Sequence, residues 1–260
     1  MDCLAISADH GVSGAKSADA RIAPWRSLGE VVGLRRRELG SAEPTEVDHL
    51  IAIENIGFQG DKHAHELSPR QVLFAGVDAY SDLGLKAKTL RENLLVSFST
   101  KGLESGGLVK IGHDVLLWLT FQCEACGHLE HHHPGVVRAI DGRRGMLARV
   151  LRGGRISVGD DVLHVASPIP PLADRWQDRI AGILAKVPDG MYLEFRQLAR
   201  LAGVPRAYCR AFPKILSKLP SAIAVRAQAG EVKERHRRWM GDELFDVSQH
   251  IASVPVLNHR

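Results

Sequence analysis

Val109-Lys110-Ile111-Gly112-His113-Asp114-Val115-Leu116-Leu117-Trp118-Leu119 decides how this chain is read: two short apolar runs rich in β-branched and aromatic residues meet at a Gly-His-Asp turn. That is the signature of a β-hairpin. Comparable runs stand on both sides, Val72-Leu73-Phe74 and Leu94-Leu95-Val96 before it, Ile156-Ser157-Val158 and Val162-Leu163-His164-Val165 after it, separated by Gly and Asp. Gly159-Asp160-Asp161 lies between the last two and reads as a second hairpin turn. Two turn-bounded pairs predict an antiparallel barrel with few helices; residues 145–151, with apolar positions at helical spacing, predict one of those few.

After Ser167-Pro168-Ile169-Pro170-Pro171 the period changes. Trp176, Ile180, Ile183, Leu184 and Val187 recur every three or four residues and stop at Pro188-Asp189-Gly190, which predicts a helix and its turn. Residues 193–201 predict a second helix, Gly203-Val204-Pro205 breaks it, and residues 206–219 predict a third, interrupted or started afresh at Pro213. Helix, glycine turn, helix is the helix-turn-helix order. The 260 residues suit two units, each with a core, divided at the prolines. Charge divides there too: residues 168–260 hold 15 Lys+Arg against 9 Asp+Glu, a net +6, whereas residues 1–167 are −2. The asymmetry fits a polyanion on the second unit, or an ordinary solvated basic face.

Hydrophobic content of 45% and charged content of 25% are those of a globular protein, and no apolar run is long enough to span a bilayer. Residues 1–16 carry Asp2 and Asp9 and no apolar stretch of a secretory signal, so the expected location is cytoplasmic, with no membrane partner. Cys3, Cys123, Cys126 and Cys209 are too few and too unevenly spread for a disulfide framework. They also leave no second cysteine group for an iron–sulfur cluster, so any electron donor is a separate molecule.

Cys123-Glu124-Ala125-Cys126 follows the run 115–120 directly, placing both thiols where a strand leaves its sheet. Thiolates are soft ligands for zinc, copper, iron–sulfur or molybdenum. His128, His131, His132, His133, Arg138, Arg143 and Arg144 follow closely and could depress a thiol pKa or hold an anion. Three readings stay open on the residues alone: a molybdenum ligand, a zinc site of two cysteines and two histidines, or a buried cysteine acting as a small hydrophobe.

Four segments, Gly57-Phe58-Gln59-Gly60-Asp61-Lys62-His63, Arg91-Glu92-Asn93, Gly107-Leu108-Val109-Lys110-Ile111-Gly112 with Cys123 to Cys126, and Gly154-Arg155-Ile156-Ser157-Val158-Gly159-Asp160-Asp161-Val162, resemble in order and spacing the MOSC domain, named after the C-terminal part of molybdenum cofactor sulfurases. The resemblance spans about 150 residues and implies a mainly β barrel over 1–167. It implies that Cys126 is the molybdenum ligand and catalytic centre, with Cys123 secondary, and that Asp61, His63, Arg70, Arg91 and Asn93 fall on the polar cofactor-side motifs. It also implies a molybdenum-pterin cofactor, reduction of N-hydroxylated compounds such as base analogues, and a separate electron donor. The alternative within the same resemblance is a non-catalytic carrier or sensor of cofactor or sulfur. The family label also carries pyridoxal phosphate, but no lysine here stands in a Schiff-base motif.

The second unit, 174–247, resembles the winged helix of alkylguanine DNA alkyltransferases and alkyltransferase-like proteins through Val187-Pro188-Asp189-Gly190, Phe195-Arg196-Gln197-Leu198-Ala199 and Gly203-Val204-Pro205-Arg206-Ala207. After Pro220 the chain reads Ser221-Ala222-Ile223-Ala224-Val225-Arg226, without the alkyl-accepting cysteine, so alkyl transfer is excluded. The resemblance leaves DNA binding, with Arg206 and Arg210 entering a groove and Lys214 on phosphate.

Overall fold

The computed structural model describes residues 24–41, 43–125, 127–166, 168–230, 237–252 and 254. Its strands are β1 (Arg26–Arg36), β2 (Thr45–Glu46), β3 (His49–Ile53), β4 (Gly57–Phe58), β5 (Val72–Gly76), β6 (Leu94–Val96), β7 (Leu108–Ile111), β8 (Val115–Gln122), β9 (Met146–Arg152), β10 (Gly154–Ser157), β11 (Asp161–Val165), β12 (Met191–Glu194), β13 (Ala227–Gln228) and β14 (Arg237–Arg238). The helices are α1 (Val77–Leu83), α2 (Gly127–His132), α3 (Val136–Ala139), α4 (Trp176–Lys186), α5 (Phe195–Leu201), α6 (Phe212–Leu216), α7 (Ser221–Ala224) and α8 (Ser248–Ile251), with 3₁₀ turns at Arg206–Ala211 and Asp242–Phe245.

Strands in the order β11-β7-β8-β9-β5-β6-β1 close on themselves through a β1–β11 pairing, giving a seven-stranded barrel. All its pairings are antiparallel except β5–β6. The hairpin predicted at Gly112-His113-Asp114 is present, with Ile111 opposite Val115 and Gly112 at φ 54°. Alternate residues fill the interior: Val72 and Phe74, Val115, Leu117 and Leu119, Met146, Ala148 and Val150.

The outward residues of the same strands are buried as well, which is why 115–119 shows no polar alternation. Leu108, Leu116, Trp118 and Val165 pack against Ile180, Ile183, Leu184 and Phe245 of the later elements in one continuous apolar cluster. Trp118 and Phe245 meet edge to face at 6.3 Å between ring centroids. No helix among the described residues is long and apolar enough to cross a membrane.

Four local expectations are corrected. Residues 145–151 form no helix: 146–152 is β9, between β8 and β5, and its false helical spacing arises because Arg149 points outward yet is buried. That guanidinium donates to the Ser68 carbonyl at 2.7 Å and lies 3.9 Å from the centre of the Phe245 ring. Gly159-Asp160-Asp161 is a turn but no hairpin, since β10 pairs with β3 while β11 pairs with β7 and β1. Asp160 holds it, its carboxylate accepting from Ser157 N at 2.8 Å. Leu193 and Glu194 belong to β12, and the helix starts at Phe195. The third helix is two short pieces, the 3₁₀ turn Arg206–Ala211 and α6, whose first turn contains Pro213.

Candidate functional site

Asp61 lies just beyond β4; the residue is 5% exposed, its side chain is fully buried, and both carboxylate oxygens are in use. Oδ2 accepts from Arg37 N at 2.9 Å, Arg37 Nε at 3.1 Å and Asn93 Nδ2 at 2.7 Å. Oδ1 accepts from Arg37 Nη2 at 3.2 Å and His63 N at 2.9 Å. Burial pushes the Asp61 pKa up, but the charge of Arg37 and the hydrogen bonds from Arg37 and His63 outweigh it and hold the group below the ordinary carboxylate value. Asn93 is fully buried; its Oδ1 accepts from Leu73 N at 3.1 Å and its Nδ2 donates to the Arg35 carbonyl at 3.1 Å. Both residues therefore tie β1, β5 and β6 together at one end of the barrel.

The middle residue of Arg91-Glu92-Asn93 has the same character. Glu92 is fully buried, pairs with Arg35 and accepts from the Tyr80 hydroxyl at 2.7 Å. Arg91 is half-buried with left-handed backbone at φ 55°, and its charge reaches Lys62, where it helps burial to lower the ammonium pKa.

The His63 and Arg70 side chains line an open cleft of about 620 Å³ beside this scaffold, to which His63 is tied through its backbone N. Lys62, Arg70, Arg196, Arg200 and Arg206 supply its charge, His63 and His65 add ring nitrogens, and no carboxylate lines it among the described residues. One wall is the barrel loop after β4; the other is α5 and the turn after it. The walls touch at Gly203, whose carbonyl accepts from Arg70 Nη1 at 2.9 Å. A Cβ on Gly203 would stand 2.8 Å from the Phe121 ring and 2.9 Å from Pro69, and its φ of 66° is one that side chains disfavour. Arg70 Nε is buried without a partner.

Burial, with the charges of Arg37, Arg70 and Lys62 against a smaller opposing pull from Asp61, lowers His63 to about 3. The ring is therefore neutral at pH 7. Because the folded-state value lies below the ordinary 6.5, protonation favours the unfolded chain; stability is whole above pH 6.5 and falls as the pH drops from there toward 3. His164, lowered to about 4 mainly by burial, acts with the same sign. His63→Gln should therefore flatten part of the acid slope in urea midpoints taken between pH 7 and pH 4, by up to about 1.4 kcal/mol per pH unit. A slope identical to wild type would show that His63 is not depressed.

Cys126, the proposed metal ligand, lies outside the described residues. Cys123 is buried just past β8, its N donating to the Gly145 carbonyl at 2.8 Å. Of the basic residues expected around the cysteines, Arg143 pairs with Asp82 at 2.8 Å and Arg144 donates to the Leu90 carbonyl at 2.6 Å. The His133 ring meets the Thr89 hydroxyl at 3.3 Å. Among the described residues no three His, Cys, Asp or Glu side chains gather as a metal site.

Two features have no sequence signal. Arg179 of α4 lies with its guanidinium 3.6 Å from the centre of the Phe121 ring and donates to the carbonyls of Ala202 at 2.9 Å, Ala173 at 2.8 Å and Asp174 at 2.5 Å. Asp174 in turn accepts from Gln122 N at 3.0 Å, so the start of the cysteine loop is pinned to the second half of the chain. Arg196 and Arg200 are the other: four residues apart on α5, they share a helix face, but nothing in the sequence places Lys62 opposite them. Arg206, Arg210 and Lys214 are exposed in the next stretch, and Arg206 alone of the three also lines the cleft. A second cavity of about 660 Å³ is lined by Glu54, Glu66, Asp242 and Asp246 around Arg149, the wrong sign for an anionic group.

Residues 64–163 match the MOSC domain family. No curated protein matches the chain. Among solved structures, it is similar to the YUAD protein from Bacillus subtilis, with 18% identity over 55% of this chain and 98% of that one at a TM-score of 0.47. YiiM from Geobacillus stearothermophilus aligns with 17% identity over 74% of this chain and 99% of its own at 0.43. YiiM from Escherichia coli aligns with 18% identity over 82% and 100% at 0.42.

Proposed function

We propose that this chain, which carries a MOSC domain at residues 64–163, binds a molybdenum-pterin through Cys126 and reduces N-hydroxylated compounds, base analogues among them. MOSC domains are associated with the molybdenum cofactor. The observation that carries the reading is the donor-rich cationic cleft whose wall at Gly203 stands against Phe121 of β8, the strand that Cys123 follows. Lys62 and Arg70 present positive charge there, the neutral His63 ring adds an N–H group, and the buried Arg70 Nε is a donor without an acceptor, so the residues present suit an anionic pterin phosphate.

The group, when bound, would supply a two-electron oxygen acceptor. Conversion of N–OH to N–H with release of water consumes two electrons and two protons, which come from a separate donor and from solvent. The chain's own part is placement. Asp61 fixes Arg37 and, through its bond to His63 N, the backbone that aims the His63 ring. A neutral His63 offers one N–H and one lone pair instead of a competing cation. Phe121, Pro69 and Gly203 close the back of the cleft against water.

In this reading the chain is a MOSC unit over 1–167 followed by an alkyltransferase-like winged helix over 174–247, whose exposed Arg206, Arg210 and Lys214 meet DNA phosphates. Elemental mass spectrometry of wild type and Cys126→Ala, both purified from cells that make the cofactor, is the test. Near-stoichiometric molybdenum in wild type and at least a tenfold loss in the variant is expected, since the thiolate is the protein's only bond to the metal in this reading. Zinc in its place, or equal molybdenum in both, would sink it; molybdenum without turnover of an N-hydroxylated base and an artificial reductant would favour the carrier alternative.

A further inference from the structure

Five cations line the cleft. Among the described residues, Lys62, Arg70, Arg196, Arg200 and Arg206 form no ion pair, although eleven ion pairs hold other charged groups of the chain. They converge from two walls on one volume, and mutual repulsion of that kind costs stability unless an anion arrives to relieve it. The Arg200 charge is also felt at His65, which burial and Arg200 together push below its ordinary pKa.

We infer that this cleft is a phosphate-binding subsite built jointly by the barrel loop and α5, and that the substrate is a nucleotide, an N-hydroxylated base carried on a sugar phosphate, and not the free base. The first half stands on the geometry alone; the second rests on the proposed reduction. Guanidinium groups pair with phosphate through two parallel hydrogen bonds, and Arg196, Arg200 and Arg206 are free to do so from the far wall while Lys62 faces them as a point charge. The volume, about 620 Å³, lies in the range of sites for single small molecules. A nucleic-acid strand needs a track of cations along one face; here two faces focus charge on one spot. His63 lines the same cavity from the barrel loop, across from the α5 arginines, so a phosphate held by α5 leaves room for the base on the barrel side.

The experiment is calorimetric titration of the full chain with AMP, adenosine and a single-stranded oligonucleotide at low salt, on wild type and on Arg196→Glu/Arg200→Glu. Both arginines are exposed, so charge reversal removes no buried contact. AMP should bind wild type at least about tenfold more tightly than adenosine, and the double variant should lose about tenfold or more for AMP alone. AMP binding to wild type should also weaken as salt rises. Equal affinity for AMP and adenosine, or AMP binding indifferent to the variant, overturns the subsite. So does an oligonucleotide that binds through Arg196 and Arg200 where AMP does not. Molybdenum content measured on the same samples separates the two readings: its loss in the double variant assigns these cations to the cofactor's own phosphate and overturns the substrate assignment. Its absence from wild type, with AMP still bound, defeats the reductase and leaves the phosphate site standing.

Discussion

Asp61→Ala should cost about 3–5 kcal/mol, a large share of the 5–15 kcal/mol that holds a typical domain together. The substitution leaves Arg37 buried, 5% exposed, with no counter-charge, and strips acceptors from Arg37 N, His63 N and Asn93 Nδ2 at once. Urea unfolding measures it: the midpoint should fall sharply at pH 7. Asp61→Asn should fall less, since one amide oxygen can still accept from backbone N–H groups while the ion pair is lost. Arg37→Met in the Asp61→Ala background should recover part of the loss, because the unpaired buried cation is then gone. A midpoint for Asp61→Ala within the scatter of wild type would mean that water reaches Arg37 and that the pair is no buried scaffold.

The second large effect is expected at Arg179. Burial lowers its pKa to about 10, so it stays charged at neutral pH while its side chain is 4% exposed. Arg179→Ala removes donors from three carbonyls and the cation from the Phe121 face, a loss of about 3–5 kcal/mol when those carbonyls find no water. Arg179→Lys should recover little, because one ammonium cannot span Ala202 and Ala173 while lying flat on the ring. Hydrogen exchange is the discriminating readout. Protection should drop around 121–125 and 202–204 together, since Arg179 joins those segments. Loss confined to α4 would show that the arginine only anchors its own helix.

How much of this was legible in the sequence depends on where each residue's partner lies. The hairpin at Gly112 was readable because turn and strands are contiguous. The strand β9 was not, since Arg149 imitates the polar face of a helix and its partners, Ser68 and Phe245, are 81 and 96 positions away. The eleven-residue β1 escaped notice because Glu30, Arg35 and Arg36 interrupt its apolar pattern, and its two bulges, near Gly29 and Gly33, break the alternation. At the site, motif spacing located Asp61, His63, Arg70, Arg91 and Asn93 but could not divide scaffold from lining. That division is set by Arg37, 24 positions before Asp61, and by α5, more than 120 positions after it.

The apolar outer face of the barrel has a consequence for how the chain is made. Pairing of β11 with β1 can close the barrel once residue 165 is synthesised, yet Leu108, Trp118 and Val165 on its outside are covered by groups as late as Phe245 and Val247. At about 5–20 residues per second, those 80 residues leave an indole and its apolar neighbours facing solvent for about 4–16 s on every ribosome. A nascent chain in that interval displays the kind of surface that holding chaperones bind, and the second half of the molecule is what releases it.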